Sequence, residues 1–215
     1  MSIDLMPGFG AFTASGGGGG GLPTFPGASQ VTYEAVVTPP IWSSGLRTTG
    51  QTDPAAGSEA VLYTYNTESG GQMGNFSGRG LLTNGAAFSY TGGTTYTISV
   101  YGKQSGTAGR YMRLALYDAD GGDAGVLFDL QTGAVGNSRA SGITETNTGI
   151  TSVGSGWYQC YFSVTGLVGA IDNIQIGPSN VNSTDFDATL TTTGVASDGI
   201  LVWRLQIVSG TDPNG

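Results

Sequence analysis

Along the second half of the chain, apolar side chains recur on every second residue. Tyr96-Thr-Ile98-Ser-Val100 shows the pattern, and Met112-Arg-Leu114-Ala-Leu116 repeats it. Tyr158-Gln-Cys160-Tyr-Phe162-Ser-Val164 and Leu201-Val-Trp203-Arg-Leu205-Gln-Ile207 follow the same rule. A period of two sends alternate side chains to opposite faces of a strand, so each segment offers one face to a core and one to solvent. Glycine, Asn, Asp and Ser fill the gaps between them. The pattern predicts strands over 96–101, 110–118, 126–130, 157–164, 171–176, 186–190 and 200–208. Weaker strand signals lie at 31–37 and 60–65, and a short strand is expected on each side of the Asn84-Gly85 turn signal. Asn66 to Gly80 reads as a loop, and Ser141 to Gly149 as a polar stretch of strand and loop. No segment carries an apolar stripe at helical spacing over three turns. The fold class is all-β, an antiparallel β-sandwich.

The phase of these strands predicts a shared core containing Ile98, Leu114, Leu116, Cys160, Phe162, Trp203 and Leu205. Trp157 is likewise read as a packed structural residue. Cys160 is the chain's one cysteine, so no intrachain disulfide can form. It reads as a small buried hydrophobe.

The first 28 residues differ in kind. A run of six glycines, Gly16 to Gly21, separates two short apolar stretches carrying Leu5, Met6, Phe9, Phe12, Leu22 and Phe25. Residues 1–28 are therefore expected to form an extended, flexible arm, and 29–215 the folded domain. The arm reads either as a solvated tail or as a docking segment whose apolar anchors order on a partner. The opening decapeptide has neither a basic n-region nor a continuous apolar h-region, so no signal peptide is expected. No apolar run approaches the ~18–20 residues that cross a bilayer as a helix, and membrane insertion is not expected.

Charge narrows the partners. Of 215 residues only 10% are charged, against about 25% in a typical globular chain. Net charge is −8 and Lys103 is the sole lysine, with six scattered arginines. Nucleic-acid binding needs clustered cations that release counterions, so neither DNA nor RNA is expected as a partner. Histidine is absent, which excludes Ser-His-Asp triads, Cys-His pairs and His-ligated zinc. A two-carboxylate glycosidase needs acids about 5–10 Å apart. Asp118 and Asp129 are the candidate pair, if 111–118 and 126–130 form a hairpin. The expectation is nevertheless a non-enzyme without cofactors.

Two further constellations stand out. Asp118-Ala-Asp120-Gly-Gly-Asp123 brings three carboxylates into six residues, which suits either a polar hairpin turn or a calcium loop. Opposite the predicted core lie Tyr101, Tyr111, Tyr117 and Tyr161, with Arg113 between two of them. Such a face can stack on sugar rings or form an interface with another subunit.

The segments Phe128-Asp-Leu-Gln-Thr-Gly133, Gly154-Ser-Gly156-Trp157-Tyr158 and Trp203-Arg-Leu-Gln206 together resemble a jelly-roll module of bacteriophage structural proteins. That module occurs in head fibres, decoration proteins and tail fibres, and it is similar to non-catalytic carbohydrate-binding modules. The resemblance covers roughly residues 90–208. It implies a jelly-roll sandwich and a virion structural role as a capsid decoration or head-fibre subunit, synthesised in the host cytoplasm and displayed on the virion surface. The arm would hold the chain to other virion proteins. Homo-oligomers, trimers among them, are common in similar fibres. The alternative it implies is a tail-fibre or receptor-binding module for host-surface glycans. One position departs from the family pattern: Arg204 stands where the family has glycine.

Overall fold

The structure, a computed structural model, describes residues 31–32, 46–64, 74–77, 82–83, 86–87, 91–107, 109–169, 171–179, 181–183 and 199–213. The glycine run and its six apolar neighbours, most of the 31–37 strand signal and the predicted strand at 186–190 lie outside these residues. Among the described residues there is no helix. The strands are β1 (Val31–Thr32), β2 (Leu46–Gln51), β3 (Ala60–Thr64), β4 (Gly74–Ser77), β5 (Leu82–Thr83), β6 (Ala86–Ala87) and β7 (Tyr96–Ser105). They continue with β8 (Tyr111–Asp118), β9 (Asp123–Asp129), β10 (Ala134–Ser141), β11 (Thr144–Gly154), β12 (Trp157–Thr165), β13 (Ile171–Ser179) and β14 (Gly199–Ser209).

Two antiparallel sheets dominate. The larger has six strands in the order β11-β12-β7-β14-β3-β2, and the other has five in the order β10-β9-β8-β13-β4. A small third sheet joins β1, β5 and β6, where β5 and β6 pair on either side of Asn84-Gly85 as that turn signal predicts. The chain passes from β3 to β4, β7 to β8, β10 to β11, β12 to β13 and β13 to β14 by crossing between the two large sheets. Strands far apart in sequence therefore become neighbours, as β7 and β14 do.

The alternating residues meet where the two sheets face each other. Ile98 lies beside both Phe162 and Ile207, and Val100 beside Cys160. On the other sheet Leu114 pairs with Val126 and Ile176, and Leu116 with Ile174. These side chains belong to one buried cluster drawn from both sheets, which makes the fold a β-sandwich. Cys160 is fully buried within it, and burial pushes its thiol pKa well up.

Three segments depart from the sequence pattern. β4 lies inside the stretch read as a loop, and β2 lies between the 31–37 and 60–65 signals, where no strand was read. β10 and β11 are longer and more regular than the polar 134–154 sequence suggests. Both are sheet edges with mostly exposed residues, so no alternation of apolar and polar positions marks them.

The larger correction concerns β14. Ile200, Val202, Leu205 and Ile207 enter the sandwich core. Leu201 and Trp203 lie on the opposite, outer face of the six-stranded sheet, where Trp203 packs with Tyr101, Trp157 and Ala60. Trp203 is buried, but not with Phe162 and Leu205. The cause is a β-bulge. Trp203 faces Tyr101 and Gln206 faces Ser99, so Arg204 and Leu205 together oppose Val100 alone. The extra residue shifts the strand's phase, and Arg204 absorbs it at φ +48°. That left-handed conformation suits glycine better than an arginine.

Two stability measurements test this packing. Phe162→Ala, which empties a fully buried site, should cost about 3–5 kcal/mol in chemical denaturation. At the bulge, Arg204→Gly should be more stable than Arg204→Ala by about 1 kcal/mol. Both variants lose the guanidinium over the Trp203 ring, so their difference reads the backbone strain alone. Equal stabilities would mean that position 204 is not held in the left-handed region.

Candidate functional site

The three sequence motifs fall at places where the backbone turns or bulges. At the end of β9, Asp129 accepts hydrogen bonds at Oδ1 from the N–H groups of Gln131 (3.0 Å) and Thr132 (3.2 Å). Its backbone carbonyl accepts from Gly133 N–H at 2.8 Å, closing the turn. Gly133 sits at φ +71°, and a Cβ there would lie 2.6 Å from the Tyr158 ring, so glycine is required twice over. Arg110 forms an ion pair with the Asp129 carboxylate. Burial would raise the pKa of Asp129, but the Arg110 guanidinium and the N–H groups of Thr132 and Gln131 outweigh it. The result is a carboxyl lowered to about 2. The second motif supplies the β11–β12 turn, with Ser155 at φ +53° and Gly156 at φ +77°, the backbone that a two-residue hairpin needs. The third motif is the β14 bulge.

The five aromatic and cationic candidates divide between two opposite faces. Tyr101 and Tyr161 point outward from the six-stranded sheet. Tyr111, Arg113 and Tyr117 point outward from the five-stranded sheet, since Met112, Leu114 and Leu116 between them fill the core. They form no single platform.

On the six-stranded face, Tyr101 and Trp203 pack with ring centroids 5.1 Å apart and planes tilted by 53°. Arg204 lies 4.2 Å over the Trp203 ring, and Trp203 Nε1 donates to Glu59 Oε2 at 3.3 Å. Tyr101 is only 1% exposed. Its ring faces are covered, so it offers no open stacking surface. Burial raises the pKa of its phenol and nearby Arg204 offsets part of the rise. Tyr161 crosses onto β11, where a Cβ on Gly149 would overlap its ring. An aromatic ring laid over a strand glycine shields that backbone from water. Below these aromatics runs a polar row: Thr97 and Ser163 hydroxyls are 2.7 Å apart, and Ser99 Oγ donates to Gln206 Oε1 at 3.5 Å.

On the five-stranded face, Arg113 donates through Nη2 to the Tyr117 hydroxyl (2.5 Å) and to Gln175 Oε1 (2.7 Å). Arg113 is itself buried, while Tyr111 and Tyr117 are half-buried. The Arg110 guanidinium stacks 5.1 Å from the Tyr111 ring centroid. This row of ring, guanidinium and ring is held by neighbouring strands. Gln175 joins this row from β13; the sequence predicted its strand but not that it lies beside Arg113.

The acidic candidates are separated. Asp118 Oδ1 accepts from the N–H groups of Asp120 (2.8 Å) and Gly122 (3.0 Å), and Oδ2 from Val168 N–H (3.3 Å). Burial would raise its pKa, yet the N–H bonds of Gly122, Val168, Asp120 and Gly169 leave it lowered. Asp123 forms an ion pair with Arg139 on β10. Asp120 is exposed. In this turn the Asp118 carboxylate binds backbone N–H groups and Asp123 pairs with Arg139, and among the described residues no group of three or more acidic, His or Cys side chains gathers to hold a metal. Asp118 and Asp129 also part company. They stand at opposite ends of the β8–β9 hairpin, because Asp129 pairs with Tyr111 and Asp123 with Tyr117. Seven residues of strand put them roughly 20 Å apart, well beyond the reach of two glycosidase carboxylates. A third turn acid escaped the sequence reading. Buried Asp53 accepts from Ala55 and Gly57 N–H at Oδ1 (2.8 and 2.9 Å) and from Glu59 N–H at Oδ2 (3.1 Å). The signal that could have found it is Asp53-Pro54-Ala-Ala-Gly57, a turn sequence between two strands.

No family model matches the chain, and no curated protein matches it.

The Asp129 turn carries a pH prediction. Its carboxyl titrates at about 2 in the folded chain, against about 3.9 when unfolded. The stabilisation it provides is fully present above the unfolded value and is lost as pH falls through the folded one. Comparing the native chain with Asp129→Asn by chemical denaturation, the stability gap should narrow by about 2 kcal/mol between pH 5 and pH 2. A gap independent of pH would show that Asp129 is not held ionised by its surroundings.

Proposed function

We propose that this chain is a non-catalytic structural subunit of a bacteriophage particle, a capsid decoration or head-fibre protein whose jelly-roll knob is carried by its glycine-rich N-terminal arm. The supporting observation is the strand order. Within the two sheets, β3-β14-β7-β12 faces β4-β13-β8-β9. The chain crosses repeatedly between the sheets and returns beside earlier neighbours, an order that supports the jelly-roll reading. The motifs that resemble the phage module sit at the Asp129 turn, the Ser155-Gly156 hairpin and the Arg204 bulge, where they serve the backbone of the knob.

The arm is the element that joins knob to particle in this reading. Six glycines span about 13 Å as a random coil, by ~5–6 Å × √n. The apolar residues on either side gain by leaving water when a partner receives them. The row of Tyr111, Arg113 and Tyr117 supports a second role for the knob, since two half-buried rings flank a fixed guanidinium. In a tail-fibre setting that row would receive a host-surface glycan.

The deciding experiment expresses residues 29–215, verifies folding by thermal melting, and mixes the product with particles lacking the protein. The truncated chain is expected to fold and to lose particle binding. Binding equal to that of the full chain would assign attachment to the knob and overturn the role of the arm.

A further inference from the structure

A sheet edge exposes a row of backbone N–H and C=O groups that will pair with any strand presented to it, and proteins blunt such edges with charge, bulges or shortness. The two large sheets have four edges, β2, β11, β4 and β10. Three are blunted. β4 is four residues long. β2 breaks register between Thr48 and Gln51 and carries Gly50 at φ +75°. β10 breaks register between Val135 and Ser138 and bears Arg139. β11 is different. It is eleven residues long, its irregularities fall near its two ends, and Asn147 to Ser152 pair with β12 without a break. It contains neither Lys nor Pro, and its side chains are exposed or half-exposed throughout.

We propose that β11 is a self-pairing edge: two copies of this chain join antiparallel along Thr144–Gly154 about a two-fold axis, and their six-stranded sheets become one.

Charge selects both the partner and the orientation. The chain carries a net charge of −8, so two copies repel over most approaches. From Ala134 to Gly154 the sequence contains one arginine and one glutamate, so these two edge strands are together neutral. It is a surface on which like-charged copies can meet. Within β11 the sole charge, Glu145, lies next to one end. Parallel pairing would set the two Glu145 side chains together. Antiparallel pairing places each opposite Val153 and separates them by about 26 Å, eight residues at ~3.3 Å. The two-fold also brings the β10 edges toward each other, with Val135 exposed between them at 42%. The pairing does not depend on the particle role, and removing residues 1–28 should leave it intact.

The test uses the full chain in a concentration series. Sedimentation velocity should show a monomer–dimer equilibrium, and hydrogen exchange of peptides covering Thr144–Gly154 should slow as concentration rises while the far edges β2 and β4 are unchanged. Thr151→Lys adds a gatekeeper charge in the middle of the edge and should weaken dimerisation by about tenfold or more. Ser58→Lys makes the same charge change at the far edge of the sheet and should not. Were Thr151→Lys to fold poorly by circular dichroism, the exchange data on the native chain would still decide. A chain that stays monomeric, a trimer, a dimer whose β11 amides exchange equally at all concentrations, or a well-folded Thr151→Lys that dimerises as before would each overturn the proposal.

Discussion

The six-stranded sheet depends on one bulge. β7 and β14 are adjacent at its centre, and their side chains must fill the sandwich on one face while burying an aromatic cluster on the other. An unbroken strand cannot send both Trp203 outward and Leu205 inward, because residues two apart share a face. The extra residue at Arg204 removes that restriction. It lets Ile200 and Val202 enter the core before the bulge and Leu205 and Ile207 after it. The left-handed backbone this imposes on an arginine is offset in part by the stacking of its guanidinium on Trp203.

A chain with so few charges uses its aspartates sparingly, and three of them have the same task. Asp53, Asp118 and Asp129 are buried at the ends of strands, and each accepts two or more backbone N–H groups from the turn that follows. Turn N–H groups that no strand can pair would otherwise be left without acceptors, at a cost of about 1–3 kcal/mol each where buried. This assignment bears on function. Asp118 and Asp129, the acids that looked available for paired general acid–base work, are committed to the backbone, and the low pKa of Asp129 follows from the Arg110 guanidinium together with that commitment. Tyrosines show the same economy. Tyr158 covers Gly133 and Tyr161 covers Gly149, so even Tyr161, which a linear reading offers to a ligand, fills space that glycine leaves empty.

The sequence by itself determined the elements whose two faces meet different surroundings. β7, β8, β12 and β13 alternate because one side is buried against the opposite sheet, and their existence, phase and all-β class follow from that period. The strands on either side of Asn84-Gly85 and the Gly154-Ser-Gly156 turn were equally legible, the latter because left-handed backbone restricts the residues that can occupy it. The edges β2, β4, β10 and β11 were not, because a strand exposed on both faces or very short has no period to read. Which side of the molecule each outward residue reaches was decided only by tertiary structure. Pairing across long stretches of chain places Tyr101 and Tyr161 on one face and Tyr111, Arg113 and Tyr117 on the other, and antiparallel register separates Asp118 from Asp129. The bulge at Arg204 was a tertiary decision as well: local sequence offered a regular alternation from Leu201 to Ile207, and the demand of two buried faces on one strand overrode it.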